Sequence, residues 1–153
     1  MTWEEFEKSY RRKNRGKAAH SEHDLQVSCV NWFRLQYPQL LIYAIPNGGY
    51  RTYTTASTMK AEGQTAGIPD LCIPIARGSY AALYIEMKNG KAGRLSDIQK
   101  RMHLRLQKLG NCVAVCHTVQ EFVSTVQKYL LLPENDKIMT KTSTACEQMA
   151  LNL

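Results

Sequence analysis

Two apolar runs of strand length, Leu71–Ile75 and Ala81–Ile85, flank the polar, glycine-containing stretch Ala76-Arg77-Gly78-Ser79-Tyr80, and together they read as a hairpin. If the runs pair antiparallel about Gly78, residues whose numbers add to 156 face each other, which sets Asp70 opposite Glu86. Directly opposed side chains hold their Cβ atoms about 4.5–5.5 Å apart, so two carboxylates in that position repel. Something cationic should occupy the gap. Side chains alternate along a strand, so Glu86 and Lys88 share one face while Met87 points to the other. Lys88 offsets part of the repulsion. Two carboxylates from neighbouring strand ends also make an oxygen-rich half-cage for Mg²⁺, which keeps water in its remaining positions. A cation held there can activate a water for attack on phosphorus and steady the leaving oxygen, with Lys88 orienting the water or balancing charge.

A Glu-x-Lys pair on an exposed strand is ordinarily a solvated ion pair, and Pro-Asp is common in turns. The strand at 81–85 is too apolar for an exposed edge, however. Glu86 and Lys88 leave a buried strand for a place where unpaired charge is costly. A metal-dependent nuclease is therefore the first hypothesis.

The chain has 153 residues, 44% of them apolar, which suits one domain with a proper core. Its 20 basic and 13 acidic residues leave a net charge of +7, which favours a polyanionic partner: nucleic acid first, anionic membrane second. No segment approaches the roughly 20 apolar residues that span a bilayer, and residues 1–20 lack an apolar centre. A soluble cytoplasmic protein without a small organic cofactor is expected. Cys29, Cys72, Cys112, Cys116 and Cys146 are odd in number and scattered over apolar segments, as reduced thiols would be. Cys112 to His117 alternates like a strand and lacks a second ligand pair, which argues against zinc.

Residues 1–20 include Arg11-Arg12-Lys13-Asn14-Arg15-Gly16-Lys17 and read as a mobile basic arm, either a solvated tail or a device for electrostatic capture of a phosphate backbone. A helix follows to Tyr37-Pro38, with Leu25, Cys29, Trp32 and Phe33 on its apolar stripe and Glu22 at the stripe's edge in the first turn. Leu40–Ile45 reads as a buried strand ending in the turn Pro46-Asn47-Gly48-Gly49, and 52–62 as a helix stopped by Gly63. Leu95, Ile98, Met102, Leu106 and Leu109 mark a helix whose start, Ser96-Asp97-Ile98-Gln99, fits a capping box. A strand at 112–116 and a helix over Val119–Leu130 come next, and residues 133–153 read as a loosely held tail. The order implies an α/β domain over 21–132: a mixed four-stranded sheet of α-β-β-β-α-β topology, with helices on both faces.

From Ser21 to Leu130 the chain resembles the VRR-NUC family, a branch of the PD-(D/E)xK nucleases with a restriction-endonuclease-like core. The resemblance rests on Glu22, Pro46-Asn47-Gly48-Gly49, the run from Gly63 into Ile68-Pro69-Asp70-Leu71, Tyr84-Ile85-Glu86-Met87-Lys88, and Leu95-Ser96-Asp97-Ile98-Gln99. It implies that Glu22, Asp70 and Glu86 bind Mg²⁺ or Mn²⁺ with the backbone carbonyl of Met87. It makes Lys88 the catalytic lysine and Gln99 a helper near the scissile phosphate. Stand-alone members look like Holliday-junction resolvases, so the resemblance also implies branched or structured DNA as substrate and a homodimer, in keeping with the two-fold character of a four-way junction. Charge and proximity alone nominate Arg51, Lys60, Lys91 and Arg94 for phosphate contacts. The competing class is a non-catalytic DNA-binding module on the same fold, against which intact Asp70, Glu86 and Lys88 argue.

Overall fold

The hairpin forms in the expected register. In a computed structural model, which describes residues 3–13, 22–46, 53–90 and 93–135, strand β2 (Leu71–Ile73) pairs antiparallel with β3 (Leu83–Met87). The partners are Leu71↔Ile85, Cys72↔Tyr84 and Ile73↔Leu83, all adding to 156. The paired lengths differ from the apolar runs. Pro74 has no N–H to give the ladder, so β2 stops at Ile73. β3 begins later than expected and continues to Met87, so Glu86 lies inside the strand and not beyond its end.

β1 (Tyr43–Ala44) adds antiparallel to β2, and β4 (Cys112–Cys116) adds parallel to β3, giving the sheet order β1-β2-β3-β4. A parallel neighbour requires a crossover. Helix α4 (Asp97–Lys108) supplies it. The remaining helices are α1 (Trp3–Lys13), α2 (Glu22–Gln36), α3 (Tyr53–Ala61) and α5 (Val119–Leu130).

Alternation along the strands separates two surfaces. Leu71, Ile73, Leu83, Ile85 and Met87 bury one face of the sheet against Leu25, Cys29, Trp32 and Phe33 of α2 and Phe122, Val123 and Val126 of α5. Trp32 meets Phe122 edge-on at 6.0 Å between ring centroids. Thr118 caps α5 by accepting the N–H of Glu121, and Tyr129 donates its hydroxyl to the Ile75 carbonyl at 2.6 Å, tying the end of α5 to the hairpin. The opposite face carries Cys72, Tyr84, Glu86 and Lys88.

Four expectations need correction. The strand proposed over Leu40–Ile45 is only Tyr43–Ala44, both exposed, because it is a sheet edge with a neighbour on one side; Ile42 alone in that run is buried. The basic arm is helical over Trp3–Lys13, and its Phe6 joins the core, one aromatic being enough to dock that segment. On α4 the buried positions are His103 and Leu106, whereas Ile98 and Leu109 are exposed, so the inward stripe is rotated from the expected one toward Gln99 and His103. The chain past Pro133 stays on the hairpin turn as far as Asn135, through a 3.0 Å Arg77–Glu134 ion pair and an amide bond from Asn135 to the Gly78 carbonyl. Asn47, Gly48, Gly49 and Cys146 lie outside the described residues.

Gly67 governs how the hairpin meets α4. Its φ is +80°, and a Cβ there would stand 2.9 Å from both the Cγ2 and the carbonyl oxygen of Ile98. Gly67→Ala should therefore cost about 1–3 kcal/mol, seen as a lower urea midpoint with an unchanged slope.

Candidate functional site

Glu86 is 1% exposed although its strand puts it on the face away from the main core. A carboxylate so buried needs partners. Lys88, two residues on and on the same face, bonds Glu86 Oε1 through Nζ at 2.8 Å. Gln99 donates its Nε2 to the same oxygen at 2.6 Å. The other end of the Gln99 amide accepts the Ser96 N–H at 3.0 Å while the backbone N–H of Gln99 donates to Ser96 Oγ, so the capping box is present as well. The cap and the contact with Glu86 are one geometry. Its side chain is held at the start of α4 with its amide N–H aimed at Glu86.

Asp70 sits opposite Glu86 as the register requires, with its Oδ2 accepting the Met87 N–H at 2.8 Å. Within a strand the N–H and C=O of one residue point to the same side. The Met87 carbonyl is therefore turned toward Asp70, while the Met87 side chain is fully buried in the core. Glu22, exposed in the first turn of α2, is near enough to act electrostatically on both Glu86 and Lys88. Lys88 is pinned from the far side, since a Cβ on Gly93 would come within 2.9 Å of Lys88 Cβ.

The electrostatics follow from burial and neighbours. Desolvation pushes the Glu86 carboxyl above its usual range; the Lys88 hydrogen bond and charge pull it back, while Asp70 and Glu22 push it further up. Burial would lower the Lys88 ammonium, but its bond to Glu86 and the surrounding carboxylates leave it raised. Lys88 and Glu86 form a buried ion pair at the centre of the group.

His103 was not anticipated. It lies one helical turn after Gln99 on α4, is buried, and places Nε2 3.6 Å from Glu86 Oε2. Neither of those two atoms has a hydrogen-bond partner among the described residues. Burial and Lys88 hold its pKa below the usual imidazole range. The i, i+4 relation to Gln99 was the signal available in the sequence.

These donors suit a hard divalent ion. Glu86 Oε2 is a buried oxygen without a hydrogen bond among the described residues, and the Asp70 carboxylate, which accepts the Met87 N–H, is near enough to act electrostatically on Glu86. Among the described residues no three His, Cys, Asp or Glu side chains close a ligand set, so water would fill several positions, as Mg²⁺ tolerates. Of the cations nominated for phosphate contact, Lys60 and Arg94 are exposed, Arg94 directly after the Gly93 that packs on Lys88. Arg51 and Lys91 lie outside the described residues.

A mixed four-stranded sheet flanked by helices, with an aspartate set against a Glu-x-Lys strand, defines a nuclease-like α/β core. The VRR-NUC domain matches residues 7–120 of this chain. A solved structure of a VRR_NUC domain protein is similar to it with a TM-score of 0.65 and 28% identity, covering 77% of this chain and 94% of that one. No curated protein matches. The chain belongs to the VRR-NUC family and is thus a member of a nuclease family; the match begins well before Ser21 and takes in part of α1. No helix among the described residues is long and apolar enough to cross a membrane.

The sign of each neighbour's effect on Glu86 can be measured. Lys88→Met should raise the Glu86 pKa and Asp70→Asn should lower it, as followed by carboxyl-carbon NMR titration. Because the folded Glu86 holds its proton to higher pH than the unfolded chain does, its contribution favours folding at low pH and is lost as pH rises through the folded value. Lys88→Met should widen that window.

Proposed function

We propose that this protein is an endonuclease that hydrolyses DNA phosphodiester bonds with Mg²⁺ or Mn²⁺. The observation that carries the reading is the state of Glu86: buried, one oxygen committed to Lys88 and Gln99, the other without a hydrogen bond among the described residues, with Asp70 on the facing strand close enough to act on it electrostatically. Asp70, Glu86 and the Met87 carbonyl would hold the ion, with Glu22 completing its surroundings. The ion would supply Lewis-acid activation of a water and charge stabilisation at phosphorus. Lys88 Nζ holds donors near the same point and offsets charge that builds on the phosphoryl oxygens. Gln99 keeps the Glu86 carboxylate in one orientation and would stand near the scissile phosphate. Arg94, Lys91, Arg51 and Lys60 would contact the DNA backbone.

The net charge of +7 supports a nucleic-acid partner. Branched or structured DNA, cut by a homodimer, is the reading that follows from the resemblance to family members that look like Holliday-junction resolvases and from two-fold symmetry.

Asp70→Asn should reduce cutting of labelled four-way junction, flap, nicked and linear DNA by at least about 100-fold and keep binding equal or tighter, because a repelling charge is removed. Wild-type protein that yields no product with either ion, yet binds DNA in a salt-sensitive way, would mark a non-catalytic module instead. His103→Leu should weaken Mn²⁺ binding by about 10–100-fold, measured by electron paramagnetic resonance. His103→Gln, which keeps an N–H donor, should restore most of it.

A further inference from the structure

Beside the carboxylates, the same sheet face carries a row of aromatic residues. Tyr43 pairs with Cys72 and Cys72 with Tyr84. In the adjacent row Ile45 donates its N–H to the Asp70 carbonyl at 2.8 Å, and Asp70 lies opposite Glu86. Residues two apart on a strand share a face and stand about 6.6 Å apart. The row Tyr43–Cys72–Tyr84 therefore runs alongside the row Ile45–Asp70–Glu86.

Over these rows opens a groove of about 480 Å³, with Tyr43, Ile45, Tyr84 and Ile68 at the sheet and Met59 and Gln64 on the outer wall. The buried Cys72 lies between the two tyrosines in this row. Tyr43 is 43% exposed. Among the described residues lining the groove none is cationic, and Glu62 is acidic, so a phosphate is not its occupant. A flat, mostly apolar group with polar edges fits.

We infer that the groove takes an unpaired nucleobase of the strand being cut, stacked on Tyr43 and Tyr84 while its phosphate lies over Asp70, Glu86 and Lys88. The inference rests on the nuclease reading, because that reading places a DNA strand at the carboxylates, one row away. A base within a duplex has both faces covered by its neighbours and cannot stack on a side chain without leaving the helix. An unpaired base has no such cost. The groove thus selects DNA with unpaired nucleotides beside the cut, as in flaps and open branch points, and Glu62 at its edge can accept an exocyclic amino proton.

The test walks 2-aminopurine along single-stranded and flap oligodeoxynucleotides bound to Asp70→Asn protein, with cleavage by wild type and by the Tyr43 variants mapped on the parent sequences. One or two positions next to the mapped cut should be selectively quenched. An abasic nucleotide there should weaken binding about 5- to 150-fold, while abasic sites elsewhere do little. Tyr43→Ala should remove the quench, and Tyr43→Phe, which keeps the ring, should preserve it. Uniform quenching, equal affinity for every abasic strand, or a quench unchanged in Tyr43→Ala overturns the groove assignment, whatever the cleavage assay gives. A position-specific, Tyr43-dependent quench without any metal-dependent product would keep the base pocket and overturn hydrolysis.

Discussion

The buried charge of Glu86 is the constraint on which the rest of this site depends. A carboxylate withdrawn from water needs both opposite charge and hydrogen bonds to remain ionised, and Lys88 and Gln99 provide them at one oxygen. Each provider reaches Glu86 from a different source: Lys88 by the two-residue repeat of a strand, Gln99 from the first turn of the crossover helix. The parallel pairing of β3 with β4 requires that helix. The topology therefore delivers the helix start to the carboxylate.

Gln99 shows how local and tertiary requirements can agree. Its carbonyl end serves the capping box and its amino end serves Glu86. Rotating the amide for either purpose would satisfy the other, so stabilising α4 and orienting the site are one arrangement. His103 extends the same helix face by one turn and brings a second nitrogen toward the remaining Glu86 oxygen. The face of α4 that meets the sheet is thus mainly chosen by the polar groups above Glu86, and Ile98 and Leu109 are left exposed.

The segregation of the sheet's two faces gives the site its setting. One face is packed by α2 and α5 and holds β3 rigid; the other presents carboxylates, a lysine and a tyrosine-lined groove in adjoining rows. Packing on that side supports the strand that carries Glu86, as the proposed ion site would require.

Much of this was legible from the residues alone. The turn chemistry around Gly78 and the alternation on either side of it determined the hairpin register, and with it the opposition of Asp70 and Glu86; the capping box at Ser96 and the strand at Cys112–Cys116 were equally local. Such features are set by periodicity and by hydrogen bonds between near neighbours, so they survive without knowledge of the fold. Tertiary structure alone decided that Tyr43–Ala44 is an exposed edge, that Phe6 docks its helix, that α4 turns His103 inward, and that Tyr43 and Tyr84 flank a groove next to the carboxylates. Those outcomes depend on which elements meet across long stretches of chain, and burial at such meetings is a property of the assembled sheet and not of any one segment.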